Sequence, residues 1–358
     1  MVEIALPPDF EAVPNKPAVF LLWPREGRPY LARTNVLRRR LQRLLGKLNF
    51  SSVAERIEYR LTGSKLESQF ELWGLARQHL GPDYRKEIRL RLPPYVKLVL
   101  TNRFPRTYVT TQLGRAEAVY FGPFRNRSTA AMFDSEFLDL FQLRRCQDDL
   151  APAPEHPGCM YGEMGRCLRP CQMAVGVEEY GAEAGRVAEF LKTGGKSLME
   201  PAAAARDRLS EEMDFEGAAM MHQRVAKIEN ALSLRDEMAG DVNRLNAIAV
   251  VPSAAADAVE LGWLRNGVWQ GFSRLEFHPA DGRVASLDAR LRELASVVEA
   301  RPAEAMIRME QLAILSRWFY SSWRDGEMLI VEDWNKIPYR KLVNAVSRVA
   351  KPVAGSES

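Results

Sequence analysis

All four cysteines of this chain, Cys146, Cys159, Cys167 and Cys171, fall within 26 consecutive residues. Cysteines that merely fill a core have no reason to gather so, whereas ligands of one metal centre must. The spacers are 12, 7 and 3 residues, ending in Cys167-Leu-Arg-Pro-Cys171. Four thiolates spaced like this can close on one tetrahedral ion or on the irons of a cubane cluster. Structural zinc sites usually carry a close cysteine pair at each end, and here only the last pair is close, so the spacing leaves zinc and iron–sulfur both open. Either metal makes the segment loop back on itself. The stretch Ala151-Pro-Ala-Pro-Glu-His-Pro-Gly158 serves that purpose, because its prolines remove backbone donors and cannot continue a helix.

Around this segment the periodicity alternates between strand and helix. Pro17-Ala-Val-Phe-Leu-Leu-Trp23, a Glu26-Gly27 turn and Pro29-Tyr30-Leu31 predict a hairpin. From Asn35 to Leu48 the leucines 37, 41, 44, 45 and 48 recur at helical spacing. Arg38, Arg39, Arg40, Arg43 and Lys47 fill the other side of that helix, with Arg33 just before it. A strand at Arg56–Leu61, a Thr62-Gly63-Ser64 turn and a helix from Leu66 to Leu80 follow, stopped by Gly81-Pro82. Short strands are expected between Tyr95 and Phe124, then a helix bearing Phe133, Phe137, Leu140 and Phe141. Residues 177–239 read as two or three helices, broken at Thr193–Lys196 and at Met213-Asp214. Beyond Asp241 the period returns to two, with Asn266-Gly267 as a hairpin turn, then helices at Leu287–Glu299 and Ala303–Trp323, a strand at Met328–Val331 and a last helix from Pro338.

The fold class expected is therefore α/β and multidomain, since 358 residues exceed what one core usually serves. No apolar run reaches the roughly 18 residues a membrane span needs. The N-terminus shows neither a basic nor an apolar leader region, so a cytoplasmic protein with no membrane partner is expected. A net charge of +4 is too mild to argue for nucleic acid by itself. The local run of arginines between Gly27 and Phe50, with few acids among them, does argue for phosphate contacts that hold DNA without reading its sequence. The lone histidines 79, 222 and 278 suggest no ligand role.

Several stretches resemble the UvrC family of DNA-repair proteins. Tyr120-Phe-Gly-Pro-Phe124 looks like its Tyr-Phe-Gly-Pro signature, and Leu143-Arg-Arg-Cys146, Pro157-Gly-Cys-Met-Tyr161, Gly165-Arg-Cys167 and Pro170-Cys171 look like its cysteine motifs. The resemblance implies that the four cysteines hold a 4Fe-4S cluster, with zinc as the alternative. Met213-Asp-Phe-Glu-Gly-Ala-Ala219 resembles the UVR motif, which implies a helical hairpin that engages UvrB through Phe215, Glu216, Ala218 and Ala219. His222-Gln223 stands where the family has Arg-Asp, which weakens the implied pairing.

The first segment looks like a GIY-YIG nuclease, the domain that cuts 3′ of a lesion. By that resemblance Tyr30 and Arg40 are catalytic, and Glu71 is the nearest carboxylate to the position that should hold Mg2+. The match is partial: Phe20 replaces the first tyrosine, Leu72 and Trp73 occupy the positions where the metal glutamate falls, and Arg85 replaces an asparagine. Loss of a metal ligand removes charge neutralisation at the phosphate, so an impaired nuclease is implied. Arg33, Arg38, Arg39, Arg43 and Lys47 are the expected DNA contacts. Asp241–Val250, Trp263–Gly267 and Arg317-Trp-Phe-Tyr320 resemble the next region of UvrC, and no RNase H-like nuclease follows, so a 5′ incision is not expected and the outline is nearer to the short homologue Cho.

The expected division is 1–94 for the GIY-YIG-like domain, 95–176 for the Tyr-Phe-Gly-Pro and cysteine region, 177–239 for the hairpin and 240–358 for a C-terminal α/β domain. The expected function is binding of damaged DNA and a UvrB-like protein in nucleotide excision repair. An active Cho-like endonuclease and a zinc-stabilised interaction module are the alternatives.

Overall fold

The computed structural model describes residues 1–6, 8–46, 54–114, 117–147, 149–278 and 285–350. Lys47, one of the expected DNA contacts, lies outside the described residues. The chain is α/β and multidomain, with antiparallel sheets and helices, and it divides into two compact units. No helix among the described residues is long and apolar enough to cross a membrane.

The first unit comprises Met1–Arg91, Asn246–Pro302 and Ala313–Ser358. Its first sheet runs in the order Val2–Ile4, Ala54–Leu61, Ala18–Pro24, Tyr30–Thr34. The predicted hairpin forms with Phe20 opposite Ala32 and Leu22 opposite Tyr30, and Gly27 takes the left-handed conformation in its turn. Alternation along the strand sends side chains to two faces. Ala18, Phe20 and Leu22 pack with Leu37, Leu41 and Leu45 of the helix Leu37–Leu45 on one face. Val19 and Leu21 pack with Leu72 and Leu75 of the helix Lys65–His79 on the other.

The second sheet of this unit runs Val268–Glu276, Ala258–Arg265, Ala247–Pro252, Glu327–Ile330. Asn266 and Gly267 both have positive φ, as a two-residue hairpin turn between right-twisted strands requires. Helices Leu287–Ser296 and Tyr339–Ala350 cover one face, where Ile248, Val259, Leu261, Trp263, Leu291 and Val346 are buried. Phe70 of the helix Lys65–His79 stacks on Trp269, ring centroids 4.3 Å apart and planes 8° from parallel.

The turn Thr62-Gly63-Ser64 presses on the chain at Pro252–Ala254. A Cβ at Gly63 would lie 2.1 Å from the Ser253 carbonyl carbon and 2.4 Å from the Ala254 nitrogen. Both are backbone atoms and cannot swing aside. Gly63→Ala is therefore expected to destabilise this unit by about 1–3 kcal/mol through overpacking. An unchanged denaturant midpoint in the variant would refute the close approach.

The second unit comprises Leu92–Leu245 and Ala303–Leu312. Its sheet runs Thr107–Thr110, Tyr95–Val99, Ala118–Gly122, Gly240–Asp241. The helix Arg127–Phe137 starts with a reciprocal cap between Asn126 and Thr129. A phenylalanine core joins this helix to the sheet and to the helix Val177–Lys192: Phe133 stacks on Phe121 at 5.0 Å, and Phe137 on Phe190 at 5.7 Å. Residues 177–239 form three helices, Val177–Lys192, Lys196–Glu211 and Phe215–Ser233. The breaks fall where the sequence put them. Gly194 and Gly195 have positive φ at the first, and at the second Asp214 caps the new helix by accepting from the Gly217 N–H at 2.9 Å.

Candidate functional site

The strand Tyr30–Thr34 and the helix Leu37–Leu45 bring two of the expected catalytic residues together. The Arg40 guanidinium donates to the Tyr30 hydroxyl at 3.2 Å. Phe20 lies beside them, its ring centroid 6.1 Å from that of Tyr30, and it supplies no second hydroxyl. Arg39 and Arg43 stand exposed on the same helix. Arg38 turns the other way, donating to the Val13 carbonyl at 2.7 Å and the Glu11 carbonyl at 3.1 Å. It fastens the N-terminal segment and is spent there.

Glu71 does not join Tyr30 and Arg40. It sits on the helix Lys65–His79, which covers the opposite face of the sheet. There one Arg60 nitrogen donates to both of its carboxylate oxygens, at 2.7 and 2.8 Å. Moving it by one helical turn would leave it on that face, since the sheet intervenes. Leu72, one of the positions where the family's metal glutamate falls, packs into the apolar layer with Val19 and Leu21. Arg33, also on that face by strand alternation, feels Arg317 as its strongest charged neighbour. Arg60 and Arg317 were not singled out by sequence reasoning, and no local signal marks them.

The carboxylate that the fold does single out on this helix is Glu67. It accepts the Gly63 N–H at 2.6 Å while its own N–H donates to the Ser64 hydroxyl at 3.0 Å. Burial pushes its pKa up to about 7, opposed by the Gly63 N–H and reinforced by Glu260 and Glu71. Glu260 is itself buried, accepting from Arg274 at 2.7 Å and Ser253 at 2.8 Å.

The cysteines are built from four local devices. Cys146 ends an extended segment held by Tyr180, whose hydroxyl accepts from the Arg144 N–H at 2.9 Å and donates to the Pro105 carbonyl at 2.9 Å. The Arg144 side chain then donates to the Cys146 sulfur at 3.4 Å. Cys159 opens the short turn Met160–Glu163. The Cys167 sulfur accepts the Arg169 N–H at 3.4 Å, Arg169 being in the left-handed region with φ 54°. Cys171 lies in the turn Pro170–Gln172, and its carbonyl ties back to Ala153 of the proline-rich loop at 2.9 Å.

The Cys167 thiol is pushed up to about 11, first by burial, with the Arg169 N–H opposing, and then by Cys159, Cys146 and Cys171 together. Cys146, Cys159 and Cys171 are thus each near enough to Cys167 to act on its charge. Among the described residues no three of Cys, His, Asp and Glu stand as ligands of a single ion. Beside the cysteines Asp139 receives both Arg145 and Arg166, and the Arg145 guanidinium lies 5.1 Å from the Tyr161 ring centroid.

On the third expected site, Phe215, Glu216 and Ala219 are exposed and Ala218 is half-buried at the start of the helix Phe215–Ser233. Phe215 is 71% exposed and the adjoining Met213 75%, unusual for side chains of that kind.

Residues 94–190 match the family model described as UvrC/Cho excinuclease, middle domain. The matched stretch contains all four cysteines. The chain is 25% identical over 290 residues to the UvrABC system protein C of Lachnospira eligens, covering 76% of this chain and 46% of that one. It is 27% identical over 305 residues to the UvrABC system protein C of Symbiobacterium thermophilum, covering 82% and 47%. Over these stretches the chain is similar to the UvrC family. A third member, the UvrABC system protein C of Rickettsia bellii, is 28% identical over 218 residues, 59% of this chain and 33% of its own length. The chain thus spans less than half the length of these UvrC relatives. No solved structure matches it.

Proposed function

We propose that this UvrC-like chain acts in nucleotide excision repair, holding damaged DNA and a UvrB-like partner through a GIY-YIG-like domain and a UVR hairpin, with little or no incision of its own. The observation that carries the reading is the separation of Glu71 from the Tyr30–Arg40 pair. Phosphoryl transfer from DNA to water needs a positioned base, a cation on the phosphate and a metal-binding carboxylate on one side of the scissile bond. Arg40 can bind a phosphate oxygen and hold the Tyr30 hydroxyl toward it. Arg39 and Arg43 extend the contact along the backbone. Glu71 is not available to hold Mg2+ there, because it is spent on Arg60 across the sheet. What remains is binding.

The hairpin reading rests on the break at Asp214 and on the exposed Phe215 beside it, an apolar side chain left outside its own core. The centre formed by Cys146, Cys159, Cys167 and Cys171 is read as a 4Fe-4S site, zinc being the alternative. The donor chemistry fits: four sulfurs and nothing else, gathered about Cys167, with two N–H donors aimed at sulfur as iron–sulfur sites favour. Such a group would fix the loop between residues 146 and 171 rather than take part in hydrolysis.

The Tyr30–Arg40 hydrogen bond is the one feature favouring an active Cho-like endonuclease. One experiment separates the readings: a lesion-bearing duplex, with a UvrB protein and Mg2+, is offered to the chain and to an Arg39→Gln/Arg43→Gln variant. The expected result is duplex binding that the variant weakens, with nicking on the order of 10³-fold or more below a competent nuclease, as loss of a main charge stabiliser implies. Mg2+-dependent nicking that Arg40→Ala abolishes would overturn the impaired-nuclease reading.

A further inference from the structure

Where the strand Tyr30–Thr34 ends and the helix Lys65–His79 begins, the first unit encloses an open cavity of about 610 Å³. Its wall carries Arg33, Thr34, Thr62, Ser64, Ser68 and Lys65, with Asp325 as its carboxylate. Asp325 is occupied, accepting from the Lys65 N–H at 2.6 Å and the Trp318 indole N–H at 2.9 Å. The donors are not. The Thr34 hydroxyl oxygen accepts from the Val36 N–H at 3.1 Å and the Ser64 oxygen from the Glu67 N–H at 3.0 Å. Those bonds use lone pairs and leave both O–H protons to be given elsewhere. Thr62 is 1% exposed, and its hydroxyl has no hydrogen-bond partner among the described residues.

The charges point the same way. Arg33 is exposed to an incoming ligand, and the charged group acting most strongly on it is another cation, Arg317. Among the described residues the Arg33 guanidinium has no carboxylate partner, and partial desolvation with this like charge holds its pKa below the ordinary arginine value. A guanidinium without a counter-ion beside unspent hydroxyl donors is suited to an anion.

We propose that this cavity is a phosphate-binding site, gripping one phosphate group through Arg33 and the hydroxyls of Thr34 and Ser64. A tetrahedral anion with several acceptor oxygens uses converging donors that a single carboxylate would leave idle. The cavity borders Asn35, immediately before the helix that carries Arg39, Arg40 and Arg43. A DNA strand held on that helix can deliver a backbone phosphate here. That source rests on the DNA-binding function proposed for this chain; the site itself does not.

The test uses the whole chain and inorganic phosphate as probe, at matched ionic strength. Phosphate is expected to raise the thermal midpoint of the unaltered chain by mass action. Arg33→Gln is expected to abolish the rise with phosphate. In the DNA arm, Arg33→Gln should lower the slope of log affinity against log salt by about 0.9, the share of one neutralised phosphate. Arg39→Gln should lower that slope and leave the phosphate response intact. A phosphate response that survives Arg33→Gln overturns the site. Loss of the phosphate response with an unaltered DNA slope upholds the site and assigns it to a free phosphate or nucleotide. A chain that answers to phosphate through Arg33 but binds no DNA keeps the site and sinks the proposed DNA-binding function.

Discussion

Cys167→Ser is expected to remove the proposed metal centre and to cost the second unit at least about 4 kcal/mol, the range reached when a structural metal is lost. Cys167 is the residue on which the other three cysteines act, it is 7% exposed, and the Arg169 N–H is aimed at its sulfur. A serine oxygen is a poor ligand for iron and reaches less far. If instead the four side chains were ordinary buried thiols, each serine would cost about 1–3 kcal/mol for a poorly satisfied hydroxyl, and the costs would add. The two cases separate in a double variant. With one shared centre, Cys171→Ser on top of Cys167→Ser should add little, because the metal is already gone. Iron, sulfide and zinc content of the anaerobically purified chain, read beside its denaturation midpoint, gives the answer. Additive costs in a metal-free protein would sink the proposed centre.

The second large effect is a pH dependence set by Glu67. Its carboxyl is buried at the start of the helix Lys65–His79, close enough to Glu260 and Glu71 to feel both, and its pKa stands at about 7 against 4.5 for a free side chain. A raised carboxyl pKa means that the unfolded chain ionises first. Below pH 4.5 both states hold the proton and the contribution is full. Between 4.5 and 7 the unfolded state has lost its proton while the folded state keeps it, so stability falls as pH rises. Above 7 both are ionised and the loss levels off. A gap of this size has a ceiling on the order of 3 kcal/mol. Glu67→Gln keeps an acceptor for the Gly63 N–H and cannot ionise. It should match the parent at low pH and exceed it increasingly up to neutral pH. A difference between variant and parent that does not change with pH would remove Glu67 as the cause.

The helical periods, the breaks at Gly194-Gly195 and Asp214, and the Asn266-Gly267 turn were legible because each is enforced within a few residues: by leucine spacing, by positive φ, by a side chain capping its own helix. The short strands Val2–Ile4 and Gly240–Asp241 carry too few residues to show a period and exist only because a partner strand accepts them. Arg38 and Arg39 read alike in sequence, but one is tied to Val13 and Glu11 while the other is exposed, a distinction set by the path of a distant segment.

The same division runs through the candidate site. Sequence by itself determined that Cys146, Cys159, Cys167 and Cys171 belong together, and that Tyr30 and Arg40 stand on a strand and on the helix after it, because these sets lie close along the chain and their types carry the chemistry. Only the tertiary structure decided that Glu71 lies across the sheet from them on Arg60, and that Gly63 must have no side chain because Ser253 is against it. Periodicity tells which way a residue faces from its own element. What waits on that side depends on how elements far apart in the chain pack, and no local pattern encodes it.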